Sequence, residues 1–204
     1  MPDTLRAYRA SDLDRLDDIC LKSGDAGRDA TALYCDTKIL GHIYAAPYGL
    51  LEPESCFVLE DTHGVGGYIV GTRDTYAFEK RLEHAWWPDL RALYPEPPDQ
   101  STPDGRRMHF FHRPTRTPRV INEPYPAHLH INLLPRFQSK GWGKRMVDRW
   151  LDAMRERGVR GAHLGVGRRN ARAVRFYFKY GFKEIAREGD TLILAIKLSS
   201  ETTE

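Results

Sequence analysis

The sequence is poor in cysteine, and this limits the kinds of site that it can hold. Its three cysteines are Cys20, Cys35 and Cys56. Their number is odd and no pair has the spacing of a CxxC motif, which argues against a disulfide framework and against a structural zinc site. We therefore expect three free thiols in a reducing compartment.

Long apolar runs are also missing from the sequence. No stretch approaches the roughly 20 apolar residues that a membrane-spanning helix needs. The first residues, MPDTLRAYRASD, contain no apolar core of a signal peptide. We therefore expect a cytoplasmic protein with no membrane partner.

The charge balance is nearly even, and the composition is that of a globular protein. The 31 Lys and Arg residues exceed the 28 Asp and Glu residues by a formal net charge of +3. So small an excess gives no reason to expect nucleic acid binding. With 204 residues, 41% of them hydrophobic, the chain is expected to form one domain, residues 1–204, with a buried core.

The most informative stretch runs from Ala127 to Phe182 and alternates strands with helices. Ala127–Leu134 is an apolar, β-prone run, and Ala162–Val166 is a second one. Each is followed by a loop and then by apolar residues at helical spacing. The helix residues are Met146, Val147, Trp150, Leu151 and Met154 in the first case, and Ala173, Val174, Tyr177 and Tyr180 in the second.

The loop Gln138–Gly143 is the expected chemical centre. Its glycines let the backbone turn tightly and approach a ligand, and the helix behind it directs free N–H groups at the loop. Lys140, Lys144 and Arg145 add positive charge, so the loop suits a phosphate or pyrophosphate. It is not a Walker loop, because the Gly-Lys-Ser/Thr ending is missing, and its glycine spacing differs from the dinucleotide fingerprint.

Taken together, the order of these motifs resembles the GCN5-related N-acetyltransferase (GNAT) superfamily. The order is strand, Gln-x-x-Gly-x-Gly, helix, strand and Asn-x-x-Ala-x-x-Phe-Tyr-x-Lys-x-Gly-Phe. The second motif consists of Asn170, Ala173, Phe176, Tyr177, Lys179, Gly181 and Phe182. More narrowly, Ala127–Ile185 resembles the acetyltransferase-like domain of O-GlcNAcase and of its bacterial relatives.

The resemblance implies an α/β (α+β) fold and acetyl-CoA as co-substrate, with no metal. We expect one mixed, mostly antiparallel sheet flanked by helices. The implied cofactor-binding residues are Ile131, Leu133, Leu134, Gln138, Ser139, Lys140, Gly141, Trp142, Gly143, Lys144, Asn170, Ala173, Phe176 and Tyr177. In such a protein the backbone of Ile131 and Leu133 contacts the acetyl and pantetheine groups. Arg168, Arg169, Arg172 and Arg175 are either a solvated face or contacts to the 3′-phosphate.

The resemblance also implies catalytic residues. Tyr177 matches the tyrosine that protonates the leaving thiolate, and a phenol with a pKa of about 10 carries the required proton at neutral pH. His130 is a candidate base, with an ordinary pKa of about 6.5. Asn132 can orient a substrate or water but cannot titrate, and His128 and Glu123 are weaker alternatives.

The first half of the chain shows weaker patterns. We expect a strand at Thr4–Tyr8, a helix after Ser11-Asp12, a helix at Thr37–Ala46 stopped by Pro47, and a hairpin of Ser55–Glu60 and Gly67–Arg73. Asp14, Asp17 and Asp18 are interpreted as the solvated side of the first helix. Leu33, Tyr34, Tyr44 and Tyr48 are either core residues or a wall of the acceptor site. A last hairpin, Phe182–Arg187 with Thr191–Leu198, is expected to close the sheet.

Residues 74–126 form an insertion relative to a minimal family member. Tyr76–Tyr94 has a helical pattern that Pro88 either kinks or restarts, whereas the segment Pro95–Pro126, rich in Pro, Arg and His, looks like a loop. We expect the insertion to form a lid or one wall of the acceptor site, and the alternative is a surface elaboration or an oligomer contact. His109, His112, His128 and His130 lack the spacing of a metal site.

The sequence therefore predicts an acetyl-CoA-dependent N-acetyltransferase that transfers acetyl directly to an amine through a tetrahedral intermediate. One alternative is a catalytically lapsed module that still binds acetyl-CoA. Another is a transferase that uses a different acyl-CoA or a hydroxyl acceptor. The amine could be a small molecule or part of a protein or peptide, and a homodimer is possible.

Overall fold

A computed structural model describes residues 3–198 of the chain. The seven strands are β1 (Thr4–Ala7), β2 (Phe57–Asp61), β3 (Gly64–Thr72), β4 (Ala127–Leu133), β5 (Gly161–Gly167), β6 (Lys183–Glu188) and β7 (Thr191–Lys197). The α-helices are α1 (Leu13–Leu21), α2 (Gly41–Tyr44), α3 (Ala46–Leu51), α4 (Thr75–Ala85), α5 (Trp87–Leu93), α6 (Pro103–His112), α7 (Arg119–Asn122), α8 (Trp142–Glu156) and α9 (Ala171–Tyr180).

The strands form one mixed sheet in the order β1-β2-β3-β4-β5-β7-β6. Every neighbouring pair is antiparallel except β4 and β5, which run parallel. This mostly antiparallel sheet confirms the predicted fold class. Both predicted hairpins are present, and the three cysteines are free thiols, as expected.

Each face of the sheet buries its own apolar cluster. One face packs against α1 to α6, with Tyr68 and Phe111 among its fully buried side chains, and the other packs against α8 and α9, with Trp150 at its centre. Strand residues alternate between the two faces. The side chains of His128, His130 and Asn132 therefore lie on the α1 side of β4, and those of Leu129, Ile131 and Leu133 on the α8 side.

The parallel strands β4 and β5 pair over a very short distance. Their register includes only Ala127 with Ala162 and His128 with His163, whereas β3 and β4 pair from Thr72 and His128 to Gly67 and Leu133. Beyond His128 the two parallel strands therefore separate. The second half of β4 keeps one neighbour, and a gap opens on its other side.

The bounds predicted for the helix Thr37–Ala46, and its stop at Pro47, are wrong. The structure has the short helix α2, and Pro47 lies in the first turn of α3 instead of ending a helix. The first turn tolerates proline because its N–H groups have no acceptor inside the helix. Pro88 behaves in the same way at the start of α5, so the restart predicted as one alternative is confirmed.

The expected loop-like character of Pro95–Pro126 is also wrong, because α6 and α7 lie within it. The Thr102 hydroxyl caps α6 by accepting the Gly105 N–H at 3.0 Å. Phe111 of α6 is fully buried and stacks on Trp87 of α5, with ring centroids 6.0 Å apart. The insertion is thus part of the core on the α1 face, although its Pro, Arg and His content suggests a loop.

Asp17 is a further correction, because it is buried and not on a solvated side of α1. Helix α1 packs against both β3 and α2, so little of its circumference remains for solvent. The close approach of α2 requires Gly41, where a Cβ atom would meet the Asp17 carboxylate. Burial raises the pKa of the Asp17 carboxyl to about 6.

Two glycines of the sheet provide a test of this packing. A Cβ atom at Gly71 in β3 would lie 2.3 Å from the His128 carbonyl oxygen and 2.6 Å from the Trp150 ring. A Cβ atom at Gly167, at the exposed end of β5, would meet nothing within 4 Å. We predict that Gly71→Ala lowers the free energy of unfolding by about 2 kcal/mol through overpacking.

The matched control, Gly167→Ala, should leave the free energy of unfolding nearly unchanged. Urea denaturation of both variants, with equal m-values, measures the difference. Equal stability of the two variants would contradict the packing of β3 against β4 and α8 described above.

Candidate functional site

The loop before α8 is built to present free backbone N–H groups. Ser139 and Gly141 have φ angles of 60° and 80°, so the chain turns sharply before the helix begins. Among the described residues, no side chain caps the helix N-terminus. The N–H groups of the first turn therefore remain available, and with the helix dipole they favour an anion. A Cβ atom at Gly143 would be 3.6 Å from Phe176, an ordinary contact.

Gln138 connects this loop to the strand and to α9. Its side-chain amide donates to the Leu133 carbonyl oxygen at 2.6 Å, and its own oxygen accepts from the Arg172 guanidinium at 2.5 Å. Arg172 is therefore the one of the four predicted arginines that the structure brings to the loop. This bridge spans the gap beside β4 at its open end.

The free edge of β4 supplies further backbone groups. The N–H of Leu134 donates to the Gly66 carbonyl oxygen at 2.8 Å. Because backbone groups alternate along an antiparallel ladder, those of His130 and Asn132 also face β3. The backbone groups of Ile131 and Leu133 consequently face the gap toward β5. That they contact acetyl and pantetheine groups stays a prediction.

Helix α9 forms the opposite wall of the gap. Asn170 caps it by accepting the Ala173 N–H at 3.1 Å. Tyr177 is buried between Phe176 and Phe182, and within residues 3–198 its hydroxyl makes no hydrogen bond but remains open to the gap. Burial raises the pKa of Tyr177 well above its usual value, so the phenol keeps its proton.

These parts enclose a cleft of about 750 Å³. The predicted cofactor-binding residues on its walls are Ile131, Leu133, Gln138, Ser139, Gly141, Gly143, Lys144, Asn170, Ala173, Phe176 and Tyr177. Three others lie off the walls. Leu134 is buried against the α1 face, Lys140 is exposed, and the Trp142 indole donates to Asp3.

The cleft also contains residues that the sequence analysis missed. Ser23 and Gly27 reach it from the segment after α1. The Asn132 amide, a predicted catalytic group, donates to the Ser23 hydroxyl at 2.6 Å, and that hydroxyl donates to the Ile19 carbonyl oxygen. Asn132 is thus anchored to α1. Ser23 and Gly27 are over a hundred residues from the cofactor motif, and no local pattern indicated them.

A smaller cavity of about 270 Å³ adjoins the cleft along β4. His128, Leu129 and His130 line this cavity, whereas Ile131, Asn132 and Leu133 line the cleft. Its aromatic lining residues are Tyr44, Tyr48, Phe78, Trp87 and Phe110, and its acidic ones are Glu79, Glu83 and Glu188. Most of these come from the insertion, so residues 74–126 do form a wall of this second cavity.

The four residues predicted to be either core or acceptor-site wall differ in their positions. Tyr44 and Tyr48 line the smaller cavity. Leu33 is 47% exposed and Tyr34 packs against the core, and neither lines either cavity. Glu123, a weaker candidate base, forms an exposed ion pair with Arg119.

His130 is not a base with an ordinary pKa, which corrects the expectation from sequence. Burial, together with the neighbouring His163, lowers the pKa of His130 to about 4. Burial likewise lowers the pKa values of His128 and His163. All three imidazoles are therefore neutral at neutral pH and can accept a proton, but each is weakly basic.

The four histidines considered for a metal site are dispersed. His109 lies 3.7 Å from Glu96, and His112 donates to the Tyr94 carbonyl oxygen, away from the β4 pair. Within residues 3–198, no three His, Cys, Asp or Glu side chains are grouped as metal ligands. None of the helices in that range is long and apolar enough to cross a membrane.

Comparison with known proteins shows sequence similarity over nearly the whole chain. Protein O-GlcNAcase of Rattus norvegicus is 28% identical over 202 residues, which cover 96% of this chain. The chain spans only 22% of that relative's length. The similarity confirms the predicted resemblance to the O-GlcNAcase-linked domain.

Solved structures show the same fold. The crystal structure of SsHAT has a TM-score of 0.90 and 39% identity, covering 97% of this chain and 98% of that chain. The structure of yncA, a putative acetyltransferase from Salmonella typhimurium with its cofactor acetyl-CoA, has a TM-score of 0.57 and 16% identity, covering 100% and 98%. The family model described as the acetyltransferase (GNAT) family matches residues 6–182, and the chain therefore belongs to this family.

Proposed function

We propose that this protein is an acetyl-CoA-dependent N-acetyltransferase that transfers acetyl directly to an amine. The observation that carries the proposal is the free edge of β4, which lies in the same cleft as the uncapped N-terminus of α8. A pantetheine arm needs backbone partners along an extended path, and a pyrophosphate needs N–H donors at its end. The cleft offers both, and acetyl-CoA is bound to the yncA neighbour.

The charges of the cleft fit the nucleotide end of acetyl-CoA. Lys144, Arg172 and Lys179 lie on its walls. Lys144 stands in the first turn of α8, and Arg172 donates to Gln138 of the loop before it. The pyrophosphate would be held by the N–H groups of residues 142–144 and by the loop Ser139–Gly141. Lys144 also forms an exposed ion pair with Asp148 at 2.8 Å, so its contribution to anion binding is partly offset.

The reaction then takes place at the junction of the cleft and the smaller cavity. The acceptor nitrogen attacks the thioester carbonyl carbon, and a gap-facing N–H of β4 stabilises the oxyanion. Tyr177 protonates the departing sulfur, because its hydroxyl is protonated, unbonded and open to the cleft. The cysteines take no part, since Cys20 and Cys56 are buried, Cys35 is exposed, and none of the three lines the cleft.

The smaller cavity is the proposed acceptor site, and the insertion forms its wall. Aromatic side chains and three carboxylates surround it, with Arg116 as its cationic lining residue. An amine is the acceptor type that suits such walls, because carboxylates and aromatic faces both attract a cation.

A catalytically lapsed module that binds acetyl-CoA remains the second candidate. The low basicity of His130, whose pKa is about 4, favours it. The two functions share the cleft and differ in turnover, so measurement of CoA release separates them.

The cofactor site is tested by changing Gly143. We predict that Gly143→Glu abolishes acetyl-CoA binding in calorimetric titration, because a carboxylate would occupy the place of the pyrophosphate at the helix N-terminus. Gly143→Ala is the matched control, since its Cβ fits at 3.6 Å from Phe176 and adds no charge. Unchanged binding to the Glu variant would place acetyl-CoA elsewhere.

The role of Tyr177 is tested by removing its hydroxyl. We predict that Tyr177→Phe lowers the rate of CoA release by about a hundredfold while acetyl-CoA affinity stays the same, because a general acid is lost from an intact cleft. Tyr180→Phe removes a hydroxyl that already donates to Asp148 at 2.6 Å and should have a much smaller effect. Equal losses in both variants would contradict the assignment.

A further inference from the structure

Four side chains form a hydrogen-bonded chain beside the smaller cavity. The Thr75 hydroxyl lies 2.8 Å from Nδ1 of His128, and Nε2 of His128 lies 2.6 Å from the Tyr48 hydroxyl. That hydroxyl is in turn 3.1 Å from Nε2 of His130. The chain joins α4, α3 and two positions of β4, and it ends at His130, next to the cleft.

Thr75 determines which atom donates in each hydrogen bond of this series. Its hydroxyl oxygen lies 2.7 Å from the Pro126 carbonyl oxygen. Two oxygens this close need a hydrogen between them, and a carbonyl has none to give. The Thr75 hydroxyl therefore donates to Pro126. Having no second hydrogen, it must accept from Nδ1–H of His128.

The hydrogen positions on His128, Tyr48 and His130 follow from the direction of the Thr75 hydrogen bond. A neutral imidazole carries one hydrogen, so Nε2 of His128 is bare and accepts from the Tyr48 hydroxyl. The Tyr48 oxygen can then only accept from His130, which places the His130 hydrogen on Nε2. Nδ1 of His130 is left without a hydrogen. Within residues 3–198 this atom has no hydrogen-bond partner, and it is not sealed from solvent.

We propose that Thr75, His128 and Tyr48 are positioning residues that fix the tautomer of His130, so that its bare Nδ1 accepts the proton of the acceptor amine. The inference rests on the proposed acetyl transfer and assigns a specific atom to the base. His130 lines the acceptor cavity, and the next residue along β4, Ile131, turns its backbone toward the cleft. His130 therefore stands where the two substrates meet.

The proton transfer balances without any further reactant. As the acceptor nitrogen bonds to the thioester carbon, one of its N–H bonds breaks, and the electron pair stays on nitrogen. The proton forms a new bond to Nδ1 of His130. The C–S bond then breaks with its pair going to sulfur, which takes a proton from Tyr177. His130 afterwards releases its proton to solvent and Tyr177 regains a proton from solvent, so both groups return to their starting states.

The surroundings favour this polarised, neutral arrangement. Burial raises the pKa of Tyr48 well above its usual value and lowers that of His128, so neither group carries charge at pH 7. Donation of Nε2–H to an oxygen pushes electron density toward Nδ1, which raises the basicity of an otherwise weak base. The hydrogen-bonded series therefore offsets part of the loss of basicity that burial causes at His130.

Nuclear magnetic resonance of the imidazole nitrogens tests the tautomers without any need for activity. The full-length protein is labelled with ¹⁵N, and long-range correlations to ring protons at pH 7 show which nitrogen carries hydrogen. His128→Gln and His130→Gln provide the assignments. We expect hydrogen on Nδ1 of His128 and on Nε2 of His130. Hydrogen on Nδ1 of His130 would overturn the proposal.

Substitutions at Thr75 test whether this residue fixes the tautomers of His128 and His130. Thr75→Val keeps the shape but removes the acceptor of Nδ1–H, so both histidines should show mixed tautomers and turnover should fall at least about tenfold at unchanged acetyl-CoA affinity. Thr75→Ser restores the hydroxyl and should restore both the native tautomers and the native turnover. Native tautomers and native turnover in Thr75→Val would refute the positioning role.

Two further variants separate the inference from a general packing effect. Tyr48→Phe should release the His130 tautomer, whereas Tyr44→Phe, whose ring is 5.5 Å from His130 and whose hydroxyl accepts from Arg107, should leave it fixed. If acetyl-CoA binds and the tautomers are as stated but no amine is acetylated, the proposed function fails together with the catalytic role of Nδ1. If turnover is normal in Thr75→Val, only the inference fails.

Discussion

The short parallel pairing of β4 with β5 is the constraint on which the rest of this structure depends. Parallel strands that stayed paired would satisfy each other's backbone groups along their whole length. Here the ladder stops at His128 and His163, so Ile131 keeps its backbone groups free on the gap side. Leu133, whose carbonyl oxygen accepts from the Gln138 amide, keeps its N–H there. The same separation makes room for the cleft between α8 and α9. Without it, the helix N-terminus would have no extended path leading to it.

The insertion adds the second half of the site. Helices α4, α5 and α6 bury Phe78, Trp87 and Phe111 against the α1 face, so this wall of the smaller cavity belongs to the folded core. The sheet separates the two proposed ligand regions, with the loop and helix N-terminus on one side and aromatic and acidic side chains on the other. His130 and Tyr177 lie at the boundary, from opposite walls, which suits a base and an acid in one transfer.

The residues that line the cleft were largely predictable because most of them are local in sequence. Gln138, Gly141, Gly143, Asn170 and Tyr177 occur in two short motifs, each tied to a helix start or a helix face. Other features arise from contacts between distant segments. Asp17 is buried because α2 covers it, and Ser23 reaches Asn132 across 109 positions. The lowered pKa of His130 comes from its burial, beside Tyr44 and Tyr48 from a distant segment. The prediction at Pro47 was also wrong, because this proline lies in the first turn of a helix instead of ending one.

Amide hydrogen exchange along β4 tests the central claim most directly. His130 and Asn132 bond to β3 and should exchange slowly with or without acetyl-CoA, which provides an internal control. Ile131 and Leu133 face the gap, so their amides should exchange quickly in the free protein, and the amides that bind the pantetheine arm should become protected when acetyl-CoA is added. If acetyl-CoA saturates the protein while both gap-facing amides exchange as before, the β4 edge is not where the thioester lies.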